Sequence, residues 1–161
     1  MRTLLLFLII FSTSCHHPTP VAEKKAGESR FELRAEGRLL ARGPVLHFVL
    51  ENRTANTVHL LDRELPWGPN AVSWHESPLL LEARVDGGKR LENVVPVSDL
   101  AGPRASSIEA GQTITGDVPL DLFFPALSET IKSRTVIVTW KYSLHSTNGE
   151  TLGEFTGNVR F

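Results

Sequence analysis

The sequence predicts an all-β fold, an antiparallel β-sandwich that follows a signal peptide and a flexible tether. Three observations predict it. After Arg30, apolar residues recur at every second position through several short runs, the period of a strand rather than a helix. Turn-forming Gly, Asn and Asp residues break these runs at short intervals. The only cysteine, Cys15, precedes the patterned region, so packing rather than a disulfide must hold the fold.

At 161 residues, the default is one domain. A content of 41% apolar and 22% charged residues argues against global disorder. Net charge is −1 and no stripe of Lys or Arg stands out, so nucleic acid is not an expected partner.

Residues 1–14 read as a signal peptide. Arg2 precedes an apolar run from Leu4 to Phe11, which ends in the small residues Ser12, Thr13 and Ser14. As a helix that run would cover roughly 12 Å, too little for a hydrocarbon core about 30 Å thick. Residues 15–29 read as the tether. "HHPTPVAEKKAGES" is polar, carries Pro18, Pro20 and Gly27, and shows no apolar period. His16 and His17 fall here as exposed tether residues, since two adjacent histidines without a third ligand make a weak metal site.

Residues 30–161 form the predicted sandwich. Phe31, Leu33 and Ala35 alternate with Glu32, Arg34 and Glu36. Leu46, Phe48 and Leu50 share one parity in "VLHFVLEN", and "TVHLL" follows the turn-like "ENRTAN". Leu79, Leu81, Ala83 and Val85 point one way, with Glu82 and Arg84 opposite. Asp86 to Gly88 signals a hairpin into "KRLENVV". "EAGQ" turns the chain into "TITGDVPL", and "PALSETIK", Pro125 to Lys132, permits one helical turn. Val136, Val138, Trp140 and Tyr142 lie on one face of the strongest strand. Asn148-Gly149 signals a second hairpin. In the last strand Phe155, Gly157, Val159 and Phe161 face inward, and Glu154, Thr156, Asn158 and Arg160 outward. About seven to nine such strands suit an antiparallel sandwich.

Catalytic signatures are unorganised. Ser73, His75 and Glu76 cluster in "SWHES", but no G-x-S-x-G elbow accompanies them. His75-Glu76 starts like a zinc-protease motif, yet position 79 is leucine and Pro78 would disturb the required helix. His47 and His59 fall on neighbouring predicted strands and would pair there without a carboxylate or third ligand. Asp117 with Asp121, and Glu32 with Glu36, share strand parity and suit a solvated outer face. Asn52-Arg53-Thr54 has the form of a glycosylation acceptor but reads as a turn. No phosphate-binding glycine loop occurs, and neither a cofactor nor a catalytic residue is expected.

The distinctive segment is "LDRELPWGPNAVSWHESP", Leu61 to Pro78. Long connections on a rigid β scaffold are where binding concentrates. Pro66, Trp67, Trp74 and His75 are therefore the partner-binding candidates. The competing reading is that both tryptophans fold back and plug the end of the sandwich.

Small residues followed at once by a cysteine resemble the lipobox of bacterial lipoproteins, with Thr13 and Ser14 before Cys15 and Ser12 where leucine is usual. The resemblance implies that Cys15 receives a diacylglyceryl group and becomes the first mature residue. Because His16 is not aspartate, it implies outer-membrane placement in a Gram-negative envelope, facing the periplasm; plain secretion is the alternative. The order of features from Arg30 to Tyr142 resembles the immunoglobulin-like intracellular proteinase inhibitor domain and the pro-regions of deuterolysin-type proteases. The matching residues are Asn52 and Thr54, Val58 to Leu61, Pro66 to Gly68, Gly87-Gly88, Ile108 to Gln112 and Val138 to Tyr142. That resemblance implies an immunoglobulin-like sandwich and protein binding. The expected function is a lipid-anchored, non-enzymatic module that binds a protein or an envelope component. A protease-inhibitor module and a periplasmic metal binder using His47, His59 or His75 are the alternatives.

Overall fold

The computed structural model describes residues 30–62, 65–68, 78–94 and 105–161. Cys15, Ser73, Trp74, His75, Glu76 and the tether lie outside the described residues. The described architecture is all-β with antiparallel pairing. Its strands are β1 (Phe31–Leu40), β2 (Gly43–Asn52), β3 (Val58–Leu61), β4 (Leu79–Val85), β5 (Ala105–Ile108), β6 (Thr113–Pro119), β7 (Val136–His145) and β8 (Thr151–Arg160). They form sheets in the orders β1-β2-β6, β3-β5 and β4-β7-β8. No described helix is long and apolar enough to cross a membrane.

The period-two pattern sets the register. Leu33 pairs with Leu50, Ala35 with Phe48, and Phe48 in turn with Gly116, so these positions share the core-facing side of the first sheet. Ala83 pairs with Val138 and Leu79 with Tyr142 in the third. The side chains of these faces form one apolar cluster that includes Leu46, Phe48, Leu50, Leu60, Ile108, Val138, Trp140, Tyr142 and Leu144. Phe48 and Trp140 meet edge to face, with ring centroids 5.3 Å apart, and link the first sheet to the third.

Strand glycines make room for aromatic rings. A Cβ added at Gly37 would stand 2.8 Å from Phe161, and one at Gly157 2.7 Å from Trp140. At Gly116 it would fall within the indole of Trp67. A glycine inside a strand marks such a close approach.

Three elements differ from the sequence reading. β3 pairs with β5, not with β2, so His47 and His59 do not pair across neighbouring strands. The segment after Asp86–Gly88 makes only a short return: Leu91 N donates to Ala83 O at 2.9 Å, and one bridge joins Arg84 to Arg90. The helical turn expected within Pro125–Lys132 is found as α1, Leu127–Thr130, but a 3-10 helix, Leu120–Leu122, precedes it where the sequence reading continued the strand. Asp121 is therefore off the strand. Its carboxylate accepts from Ser128 N at 3.2 Å and Ser128 Oγ at 2.6 Å and ties the two helical pieces together.

Asn52 closes the end of this architecture. It is fully buried. Its Nδ2 group donates to the carbonyls of Asn56 and Ile108 at 2.9 Å and Glu109 at 3.1 Å. Its Oδ1 accepts from Thr54 N at 3.0 Å, with the Thr54 hydroxyl 2.8 Å away. Its backbone N donates to Gln112 O at 3.0 Å, and its carbonyl accepts from Gly111 N at 2.8 Å. The Asn-Arg-Thr stretch is thus a turn whose amide group is enclosed and occupied at both ends. Truncation at Asn52 would strand several carbonyls and a backbone N–H at once. Asn52→Ala is expected to cost about 3 kcal/mol of unfolding free energy. Urea denaturation should show a lowered midpoint with an unchanged slope.

Candidate functional site

Two of the binding candidates, Pro66 and Trp67, sit just after β3, in the first described turn of the long connection. Asp62 accepts a hydrogen bond from Ser106 of β5, which fixes the exit from the β3-β5 ribbon. Leu65 N donates to Asp62 O at 3.2 Å and Gly68 N to Leu65 O at 2.8 Å, so Leu65 to Gly68 form a tight turn. Leu65 and Pro66 are buried within it. Trp67 is half-buried, packs against the apolar cluster and lays its indole over Gly116. Gly116 lies opposite Phe48 on the core-facing side of β6, so the ring fills space that the strand leaves empty. Of the four binding candidates, Pro66 and Trp67 are brought together here. Trp74 and His75 lie outside the described residues.

A second group of polar residues occupies the outer face of the first sheet. On β2, His47 stands between Glu36 of β1 and Asp117 of β6 in the register. Asp117 Oδ1 lies 2.7 Å from His47 Nδ1, and Asp117 Oδ2 accepts from Arg42 at 2.7 Å. The His47 side chain is only 14% exposed. The hydrogen bond from His47 holds the Asp117 carboxyl below the usual carboxylate range, against a smaller effect of burial, with charge support from His47, Arg42 and Arg38. Glu36 pairs with Arg38 at 2.9 Å, and Glu32 pairs with Arg34 at 2.8 Å and with Arg53. The carboxylate beside His47 corrects the sequence reading of an imidazole without one.

A carboxylate on Nδ1 orients an imidazole and leaves Nε2 for a metal, a proton or a substrate. Either chemistry needs a further group in reach. Among the described residues, no three His, Cys, Asp or Glu side chains gather closely enough to hold a metal ion. The dyad's visible work is mechanical. It joins β2 to β6, and Arg42 adds the β1-β2 hairpin to the same carboxylate.

The β3-β5 ribbon also brings Ser, His and Asp side chains into contact. His59 Nδ1 lies 2.9 Å from Ser107 Oγ, while Asp62 engages Ser106. Ser106 and Ser107 are consecutive in a strand, so their side chains leave opposite faces. Asp62 therefore cannot orient His59 in the manner of a catalytic triad.

Pairing between residues 70 positions apart hid the His47–Asp117 contact from the sequence. The interior glycine of "TITGDVPL", Gly116, marks the approach of Trp67 on the opposite face and not this contact. No family model matches this chain, and no curated protein matches it.

Two outcomes test these contacts. Trp67→Ala is expected to cost about 2 kcal/mol, less than a fully buried tryptophan, and Gly116→Val should destabilise comparably because both groups claim one space. Thermal melts of the two variants and their combination should reveal non-additivity. For Asp117, the lowered folded pKa means that ionised Asp117 stabilises the fold above the unfolded value of about 3.9 and loses that effect as pH falls through the folded value. Asp117→Asn should therefore be less stable than the parent by about 1 kcal/mol near neutral pH. The difference should vanish in strong acid, as read by denaturant midpoints across the acid range.

Proposed function

We propose that the chain is an envelope lipoprotein, anchored through Cys15 in the outer membrane, whose folded part is an immunoglobulin-like sandwich that binds a protein or envelope component. The observation that carries this reading is the order of the first residues. A short apolar run after Arg2 ends in Ser12-Thr13-Ser14, and the chain's single thiol comes immediately after. Such a cysteine has no disulfide partner within the chain, and a lipid thioether gives it a use.

The sandwich reading is supported by strand order. The sheets β1-β2-β6 and β4-β7-β8 have the sequence relations of the A-B-E and C-F-G sheets of an immunoglobulin-type domain. The core shared by their facing side chains supports it too. The binding role is supported by the length of the connection between β3 and β4 and by its described turn, Leu65 to Gly68, which Leu65 and Trp67 pin to the scaffold. A pinned base lowers the conformational cost of presenting the residues beyond it.

The test is made on the full chain in a lipoprotein-processing bacterial host. The parent should incorporate labelled palmitate and sediment with membranes. Cys15→Ala should lose the label and move to the soluble fraction. Retention of the variant in the membrane fraction would sink the anchor.

A further inference from the structure

The sheet β4-β7-β8 has two edges that the chain treats differently. The β4 edge is covered: Val85 N donates to Lys89 O at 2.8 Å, and Asn93 Nδ2 donates to Leu81 O at 3.0 Å. The β8 edge has no strand hydrogen-bonded to it among the described residues. β1 packs close to β8, with the Phe161 ring just beyond the strand lying over Gly37, but its ladder bonds go to β2.

The hydrogen-bond phase identifies which residues face outward along that edge. Val136 and Phe161 exchange both bonds, Phe161 N to Val136 O at 2.9 Å and Val136 N to Phe161 O at 3.0 Å. Closely spaced pairs recur at every second residue of an antiparallel ladder. Val159, Gly157 and Phe155 therefore bond to β7. Arg160, Asn158, Thr156 and Glu154 aim their N–H and C=O groups away from it. The side chains of these four residues are also exposed.

We propose that β8 pairs antiparallel with β8 of a second copy, about a two-fold axis through Gly157. This register puts Glu154 opposite the partner's Arg160, and Thr156 opposite the partner's Asn158, on both sides of the axis. Every outward backbone group of the four residues then belongs to a bonded pair. Charges match at both ends, where opposite charges directly across a ladder stabilise it. A slide of two residues puts Glu154 opposite Asn158, or beyond the end of the strand. Arg160 has no ion-pair partner among the described residues. Glu154 has only a long contact with Lys141, 3.8 Å, which adds a second cation beside it. β8 has no proline and no lysine, the β7-β8 register shift lies at the far end, by His145, and the exposed charges of its outward edge, Glu154 and Arg160, are of opposite sign. Such an isologous contact joins two sheets into one and closes the assembly at two copies.

The test is sedimentation equilibrium of the full chain in detergent. The parent should be a dimer of the 17.8 kDa chain. Glu154→Arg and Arg160→Glu each place like charges across the axis and should weaken dimerisation by about tenfold or more. The double exchange should restore it to near the parent value. Thr156→Pro removes an outward N–H that β7 does not use, so it should give a monomer with the parent's melting temperature and circular dichroism. A monomeric parent at about 100 μM would overturn the proposal, since edge pairing of use to a cell needs a tighter Kd. So would a dimer unaffected by either charge reversal, or failure of the double exchange to restore it while its melting temperature is unchanged.

Discussion

The Asn52 side chain sits where four pieces of chain meet: the end of β2, the turn after it, the end of β5 and the turn into β6. A buried amide with free lone pairs or N–H groups would be costly, and here each polar atom is engaged. The consequence extends beyond the bonds themselves. β2 is the central strand of its sheet, and β5 belongs to a different one, so this amide couples the placement of two sheets. The β3-β5 ribbon has little apolar surface of its own. Leu60 and Ile108 are buried, but four residues per strand are too few to stand alone. Asn52 supplies part of what holds that ribbon in register with the larger sheets.

The opposite, outer face obeys a different logic. Glu32, Arg34, Glu36 and Arg38 alternate in charge along β1, and His47 with Arg42 converges on Asp117. Exposed ion pairs of this kind contribute little one by one. The Asp117 cluster differs because its imidazole is largely buried and the carboxylate is bonded at both oxygens. Its placement beside the β1-β2 hairpin matters, because the first sheet holds its last strand, β6, only through β2.

Most of the fold was legible as period-two alternation. β1, β2, β4, β7 and β8 lie where inward residues such as Phe48, Ala83 and Trp140 recur at every second position. β5 was not legible. "ASSI" has a single large apolar residue, and its strand character comes from pairing with β3 and from Asn52. The β3 pairing was misassigned because adjacency in sequence suggested adjacency in the sheet, a tendency that fails when a long connection intervenes. The helical turn in Pro125–Lys132 was visible, but the 3-10 helix before it was not, because Asp121 continues the strand parity of Asp117. At the candidate site, the two-way reading of Trp67 turned on Gly116, whose missing side chain carries no mark of what fills its place.

The Trp67–Gly116 contact also bears on how this chain tolerates change. The indole is inserted under β6 before most of the long connection has begun. Any length or composition of chain beyond Gly68 starts from a fixed point on the scaffold. Insertions and substitutions past that point meet an already anchored base. Trp67 and Gly116, by contrast, must change together or not at all.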